Sequence, residues 1–591
     1  MMSTLGLYAV CLLGVADMPR VRVTVDTDCA YVVNGHVEVH DMIFGWTAYE
    51  GAPTPATEKR EALRAAGVSC LGFPGALRWC SPPSSEAGDP GAWYRTDAAL
   101  HEITSAEPLN GARYMYGKIL PACRDLGIEP MVYLLDGPEW AMGPENVPAA
   151  PAQYAELVAG YVSVLRRIDP GLRWVHLDNE PNAHWYRAGK SGKDYGGIFR
   201  AVAEAVHRAH PDVMIGGPVL CWPPAWPPSQ SGHPNWYTWD VWTIPFLDAA
   251  GDQLDFFDYH DYDNTPDVLL EEITTIENEL RLRRGREVPI VISECGIRLT
   301  EAEWRDPATH WEKRTAPWAR HLLAMLEHPD KVYSAQLHDL SAPANGWFRI
   351  MAEPPHHTPT YWLYWVFRHI RGQRVRATCD GGADVRVFAA RKGMRAAVLV
   401  FNDRPDSASV TLEFKGSGVL AGVRWDRLEL DAKANRVVHD SGTGAEIEVA
   451  PRGIACVYAE VCGGRPTRRA ERLEFFGGSV MNEFDGSEVA VEVAMPAGAL
   501  QRGASARLRV GTLGNSPQDK LTVTLDDHTY PLQGGLYFQE VPLRELPQSE
   551  KSQLVFRCDS DKEAVRSRPG DHRLRVSSAT LVLEREMTRA P

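Results

Sequence analysis

The stretch Trp174-Val-His-Leu-Asp-Asn-Glu-Pro-Asn-Ala-His-Trp185 runs from a short apolar segment straight into an acidic turn closed by a proline, and Val288-Pro-Ile-Val-Ile-Ser-Glu-Cys-Gly296 repeats that grammar further along the chain. Short apolar runs of this kind read as buried strands. A carboxylate at the end of such a strand is costly to bury unpaired, so Glu180 and Glu294 are expected to face polar surroundings. The fold turns on whether these two strands belong to one sheet, and of what kind.

Working outward, residues 37–371 alternate strand-like runs with helical patterns, as repeated βα units do. Eight runs stand out, at 42–46, 68–73, 129–135, 173–177, 213–217, 254–259, 288–293 and 332–337. Between them, Val268, Leu269, Ile273, Ile276 and Leu280 recur at helical spacing, as do Ile198, Val202 and Val206. Eight strands point to a closed (β/α)8 TIM barrel over an open sheet. Beyond Arg371 short alternating strands take over, with a hairpin turn expected at Lys392-Gly393. The expected class is therefore α/β, a TIM barrel at 37–371 followed by β-sandwich domains at 372–461 and 470–591. A Gly/Pro/Arg-rich link at 462–469 separates the two sandwiches. Residues 1–36 form an N-terminal segment whose strands are expected to join a sandwich.

Composition narrows the function. A net charge of −15 over 591 residues argues against a nucleic-acid partner and against an anionic membrane surface. Eleven cysteines without CxxC spacing indicate neither a zinc site nor a disulfide framework, although Cys70 and Cys80 are close enough in sequence to pair. Residues 5–15 form an apolar run too short to span a bilayer. It reads either as the core of a signal peptide, which leans the protein towards export, or as a buried first strand of a cytoplasmic one.

In a TIM barrel, chemistry collects where strands end on the C-terminal face. Strands four and seven lie across that mouth, and Glu180 and Glu294 end them. Two carboxylates flanking a bond are what glycoside hydrolysis needs, one to donate a proton to the leaving oxygen and one to attack or stabilise the anomeric carbon. The bland reading of Glu180 is a turn residue before proline, and of Glu294 a strand-end surface carboxylate.

These pieces resemble the retaining glycoside hydrolases of clan A, and among them family 39, the β-xylosidase and α-L-iduronidase group. The resemblance spans about residues 37–460 and rests on LGIEPMVYLLDGPEW, DNEPNAHW, DYGGIFRAVAEAVHRAHPDVMIGGP and DFFDYHDYD. It implies that Glu180 is the general acid/base, that Glu294 is the nucleophile, and that Asn179 binds the sugar hydroxyl beside the anomeric carbon. His260 and Tyr262 match a His-x-Tyr whose tyrosine touches the nucleophile. The departure is Ser293-Glu294-Cys295-Gly296, where the family usually carries Thr-Glu-Trp.

Of 18 tryptophans, all but Trp425 precede residue 371. Trp140, Trp222 and Trp347 are candidates for stacking on sugar faces, and Asp136 for binding hydroxyls. Trp239 and Trp242, at helical spacing, are read as packing residues. A metal hydrolase built on His260, Asp261, Asp263 and His356-His357 fits poorly, because neighbouring residues of a strand point to opposite faces. The expected enzyme thus needs no metal and no cofactor, and its partner is a carbohydrate from a plant or algal oligo- or polysaccharide. The alternative is a catalytically inactive barrel that binds glycans. The terminal sandwich is a candidate carbohydrate-binding module with Tyr530, Tyr537 or Phe538 as its stacking surface.

Overall fold

A computed structural model describes residues 19–47, 57–76, 97, 99–101, 116–135, 137–221, 238–338, 358–382, 384–416, 422–461, 465–484, 488–500, 504–559 and 574–587. Residues 1–18, with the signal-like run, lie outside this set, as do Cys80, Asp136, Trp222, Trp347 and His356-His357.

Eight parallel strands close into a barrel in chain order: Gly45–Thr47, Cys70–Ala76, Glu129–Leu135, Trp174–Leu177, Met214–Leu220, Phe256–Tyr262, Ile290–Gly296 and Val332–Leu337. These are the eight runs read from the sequence, shifted by a few residues. Parallel strands are buried on both faces, which is why they read as unbroken apolar runs. The interior is tightly filled: a Cβ on Gly72 would lie 1.9 Å from both the Tyr133 hydroxyl and Gln336 Oε1, so only glycine fits there.

A polar belt crosses the barrel beneath its mouth. His176 bonds Asp258 through Nδ1, both fully buried, and Asp258 Oδ1 accepts from the Ser293 backbone N–H at 3.2 Å. The Tyr133 hydroxyl donates to the Ser293 carbonyl at 2.8 Å, and its ring lies 3.8 Å from that of His176. Such a network fixes the strand that carries Glu294, because each buried polar group would be expensive to leave unpaired.

The strand Arg20–Val33 alternates buried and less buried residues along its length, the period of a one-sided strand. It runs antiparallel to Gly372–Cys379 and parallel to both Ala408–Lys415 and Arg468–Phe476. It therefore joins the strands that follow the barrel to those at the C-terminus in one continuous sheet. A second, four-stranded sheet, Glu488–Ala494, Lys551–Cys558, Leu521–Leu525 and His528–Leu532, closes the terminal core. The hairpin expected at Lys392-Gly393 turns one residue later: Lys392 pairs with Arg395 and Gly393-Met394 make the turn, with Gly393 at φ +59°. A glycine serves there because the turn needs a positive φ.

The helix Pro266–Arg284 packs between the barrel and the terminal sheet, whose strands Ser505–Leu513, Phe538–Pro542 and Arg575–Met587 cover its outer side. Every residue from 271 to 280 is buried, including Glu271, Glu272 and Glu277. The amphipathic pattern of the sequence predicted one buried stripe, and the covering sheet buries the other. Cys70 is a free, buried thiol whose burial pushes it up to about 12, and Cys295 is buried with its thiol donating to the Gln336 carbonyl at 3.1 Å.

Candidate active site

Glu180 leaves the fourth strand in a left-handed backbone conformation, φ +53°, two residues after Asp178 at φ +66°. Such conformations cost L-residues about 1–2 kcal/mol each and persist where surrounding bonds over-determine them. Those bonds are present. The Glu180 N–H donates to the Val219 carbonyl at 3.0 Å, and its own carbonyl accepts from Ala183 N–H at 2.8 Å. Pro181 then opens the short helix Pro181–His184, its fixed φ suited to a first helical position.

Glu294 lies inside the seventh strand, and its register partner on the sixth is His260. Because side chains alternate along a strand, His260 and Tyr262 face the barrel mouth together while Asp261 faces away. The Tyr262 hydroxyl donates to Glu294 Oε2 at 2.7 Å. His260 Nδ1 is 2.9 Å from Glu180 Oε1 and 3.4 Å from Glu294 Oε2, so one ring nitrogen serves both carboxylates. One polar atom from each of Glu180, His260 and Glu294 falls within 4.8 Å of the others. Exposure is graded: the Glu180 side chain is 29% exposed, Glu294 8% and His260 0%.

Burial pushes the His260 imidazole down, but the Glu294 charge, the hydrogen bond to Glu180 and the Glu180 charge outweigh it and hold the group up at about 9. The ring is therefore cationic at neutral pH, a positive charge between two carboxylates. The same three side chains could hold a metal ion. In that case the Nδ1 proton shared between the carboxylates would have to leave first.

Of the other residues singled out in sequence, Asn179 is half-buried beside Glu180, its backbone N–H donating to Asp178 Oδ1 at 2.7 Å. Trp140, placed in a short 3-10 turn after the third strand, is half-buried and packs against the barrel core. Trp239 and Trp242 are buried. Asp261, 3% exposed, accepts from Asn264 Nδ2, and Asp263 pairs with Arg298. The His-Asp-Tyr-Asp run thus divides between two faces, and only its His and Tyr reach the carboxylate pair. In the terminal sandwich Tyr530 and Phe538 are buried, and Tyr537 is 37% exposed.

Several residues at the mouth were not read from the sequence. Cys221 follows the fifth strand directly, Arg298 lies 5.9 Å over the Tyr262 ring, and the His338 ring meets Tyr262 edge-on at 6.1 Å. Each stands just past a barrel strand, the positional signal that had found the glutamates. Arg314, fully buried, donates to the His338 carbonyl at 3.2 Å.

No family model matches the chain, and no curated protein is similar to it in sequence. Solved structures are similar in shape. A glycoside hydrolase family 86 enzyme in complex with neoagarooctaose superposes with a TM-score of 0.73 at 13% identity, covering 96% of this chain and 99% of that one. The chain has that fold. A β-porphyranase of family 86 from the human gut bacterium Bacteroides plebeius gives a TM-score of 0.67 at 16% identity, with 96% and 100% covered. A monomeric β-xylosidase from Caulobacter crescentus CB15 gives 0.50 at 15%, covering 74% of this chain and 99% of that one. The neighbours bear out the closed barrel with β-sandwich domains as the fold. Family 39 is not confirmed: the two family 86 enzymes each match 96% of this chain, the β-xylosidase 74%.

Proposed function

We propose that the protein is a retaining glycoside hydrolase that cleaves an algal or plant oligo- or polysaccharide by double displacement, Glu294 acting as nucleophile and Glu180 as acid and then base. The observation that carries this reading is the approach of Glu180 and Glu294 around His260, one oxygen of each within 4.8 Å. Retaining enzymes set their two carboxyl groups about 5–5.5 Å apart, whereas inverting enzymes leave roughly 6.5–9.5 Å for a water. Tyr262 and His260 orient Glu294 for attack. Glu180, the more exposed of the pair, protonates the leaving oxygen and then deprotonates the incoming water. Asn179 is placed to bind the neighbouring sugar hydroxyl.

Among substrates, agar- and porphyran-type galactans are the first to test, since the structures of matching extent are an enzyme bound to neoagarooctaose and a β-porphyranase. An exported enzyme would meet such polymers, and among the described residues no helix is long and apolar enough to cross a membrane. The terminal sandwich would then support glycan binding through Tyr537.

The test is a panel of polysaccharides and aryl glycosides with product anomers followed by NMR. Retained configuration is expected, and inverted product overturns the mechanism. Glu294→Ala should abolish turnover, while Glu180→Ala should keep activity on substrates with good leaving groups and respond to azide. Full turnover in chelator separates this mechanism from metal-assisted hydrolysis through the same three side chains. Tight glycan binding by the wild type with no turnover on any substrate would favour the inactive binding barrel.

A further inference from the structure

We propose that Arg298 is a specificity-determining residue, held by Asp263 so that its terminal nitrogens meet the sugar bound against Glu294 and select one that carries an anionic oxygen group, a carboxylate or a sulfate ester. That the cleft takes a sugar rests on the reading above.

The ends of the sixth and seventh barrel strands are stitched together by one aspartate. Asp263 directly follows the strand Phe256–Tyr262 and stands at φ +58°, uncommon for a residue with a Cβ although aspartate tolerates it better than most. Its N–H donates to the carbonyl of Gly296, the last residue of the seventh strand, at 3.1 Å. Its carboxylate is spent entirely on Arg298: Oδ1 accepts the backbone N–H at 2.7 Å and Oδ2 accepts Nε–H. One bond fixes where the side chain starts, and the other fixes how its guanidinium is turned.

The guanidinium lies 5.9 Å over the ring of Tyr262, whose hydroxyl donates to Glu294 Oε2 at 2.7 Å. Among the described residues, no hydrogen bond engages its two terminal nitrogens, and the side chain is 42% exposed. An ion pair this exposed adds little to stability, so stability does not account for an aspartate held in an uncommon conformation. What the pair does provide is a guanidinium with a set direction at the cleft mouth.

Charge decides what that guanidinium reads. On the side of the mouth built by strands six to eight, His260, Arg298 and the fully buried Arg314 are cationic, against the carboxylates of Glu294 and Asp263. His338 is kept neutral by burial, and Asp261 faces away. Glu180, opposite, enters the reaction protonated under the reading above. The balance is positive locally in a chain whose net charge is −15. Two terminal nitrogens of one planar fork match two oxygens of a carboxylate or sulfate, a match that a lysine cannot make.

The test needs no turnover. Dissociation constants of galactose, galacturonate and galactose 6-sulfate are measured by ligand-observed NMR on the full-length wild type, Arg298→Met, Arg298→Lys and Asp263→Asn. At least one anionic sugar should bind the wild type tighter than galactose by about tenfold or more. A preference for galacturonate alone assigns the carboxylate, and one for the 6-sulfate alone assigns the sulfate ester. The preference should vanish in Arg298→Met and shrink in Arg298→Lys, which keeps the charge without the fork. Because the pair is exposed, melting temperatures should stay close to wild type; should Arg298→Met fail to fold, Arg298→Lys carries the comparison.

Asp263→Asn separates positioning from bulk charge. Removing an anion strengthens anion binding if charge alone acts, whereas loss of the hold on Nε should weaken it. Equal binding of the three sugars to the wild type, a preference that survives in Arg298→Met, or tighter anion binding by Asp263→Asn overturns the proposal. Turnover of a neutral substrate by a protein without anionic preference would sink this proposal alone, and anionic preference without turnover on any substrate would count only against the enzymatic reading.

Discussion

Tyr262 donates its hydroxyl proton to Glu294 Oε2 at 2.7 Å, across two adjacent barrel strands whose register sets His260 opposite Glu294. A hydrogen bond to a charged acceptor contributes about 1.5–3 kcal/mol. Here it falls on the proposed nucleophile, which would have to keep one orientation to attack. Tyr262→Phe removes the donor and little volume, so kcat/KM should drop roughly 10- to 150-fold. The melting temperature should stay close to that of the wild type. Wild-type kinetics in this variant would show that the tyrosine does not orient Glu294.

His260 makes the site sensitive to alkali. Its folded value of about 9 lies above the ordinary imidazole range near 6.5. The sign follows: charging this ring stabilises the fold fully below that ordinary range, and the contribution is lost as pH rises through about 9. Above it, two carboxylates face each other without the intervening cation. Both turnover and melting temperature should therefore fall as pH is raised through about 9. In His260→Gln the alkaline loss of melting temperature should flatten, which differential scanning fluorimetry across a pH series would read.

Asp261 shows the opposite cost. Burial pushes its carboxyl up to about 7 against the hydrogen bond from Asn264. In the unfolded chain it ionises near 3.9. The folded state therefore holds the proton more tightly, and stability is lost as pH climbs from the ordinary carboxylate range through about 7. Asp261→Asn keeps an acceptor for Asn264 and removes the titration. Its stability relative to wild type should be near parity at acid pH, rise as pH climbs from about 4 to about 7 and level off above that, by at most about 4 kcal/mol for a shift of some three pKa units. Chemical denaturation at two pH values checks it, and an equal difference at both would refute the assignment.

The barrel was legible because its strands are buried on both faces and announce themselves as apolar runs. The two glutamates were legible because each breaks such a run at its end. His260 and Tyr262 needed the resemblance to clan A, since a strand His-x-Tyr alone is as readily a packed pair. The sequence was silent on the polar belt: His176 sits inside the run Trp174–Leu177, where one polar residue in a strand does not reveal that Asp258, on a strand two places away, receives it. Arg20–Val33 read plainly as a strand, but pairing with partners hundreds of residues apart leaves no local mark.

The seam between the barrel and the terminal sheet depends on Lys331, which is fully buried just before the eighth barrel strand. Its ammonium bonds Glu474 on the strand Arg468–Phe476 and stands 3.3 Å from Asp330 Oδ2. Glu474 also receives Arg472 and Arg509, so it would keep cationic partners if Lys331 were lost. Asp330 would not: apart from Lys331, its carboxylate accepts only from the Asn34 amide, at 2.7 Å, among the described residues. Removing one member of a buried ion group costs about 3–5 kcal/mol, mostly through the partner left charged and unpaired. Lys331→Met should therefore destabilise the protein by about that amount in urea, despite preserving the apolar length of the side chain. If the penalty lies in the orphaned carboxylate, Asp330→Asn added to Lys331→Met should recover much of the loss, and the double-mutant cycle should show strong coupling. Additive effects would place the cost instead in the lost contact with Glu474 and the Phe476 ring, 5.0 Å from the ammonium.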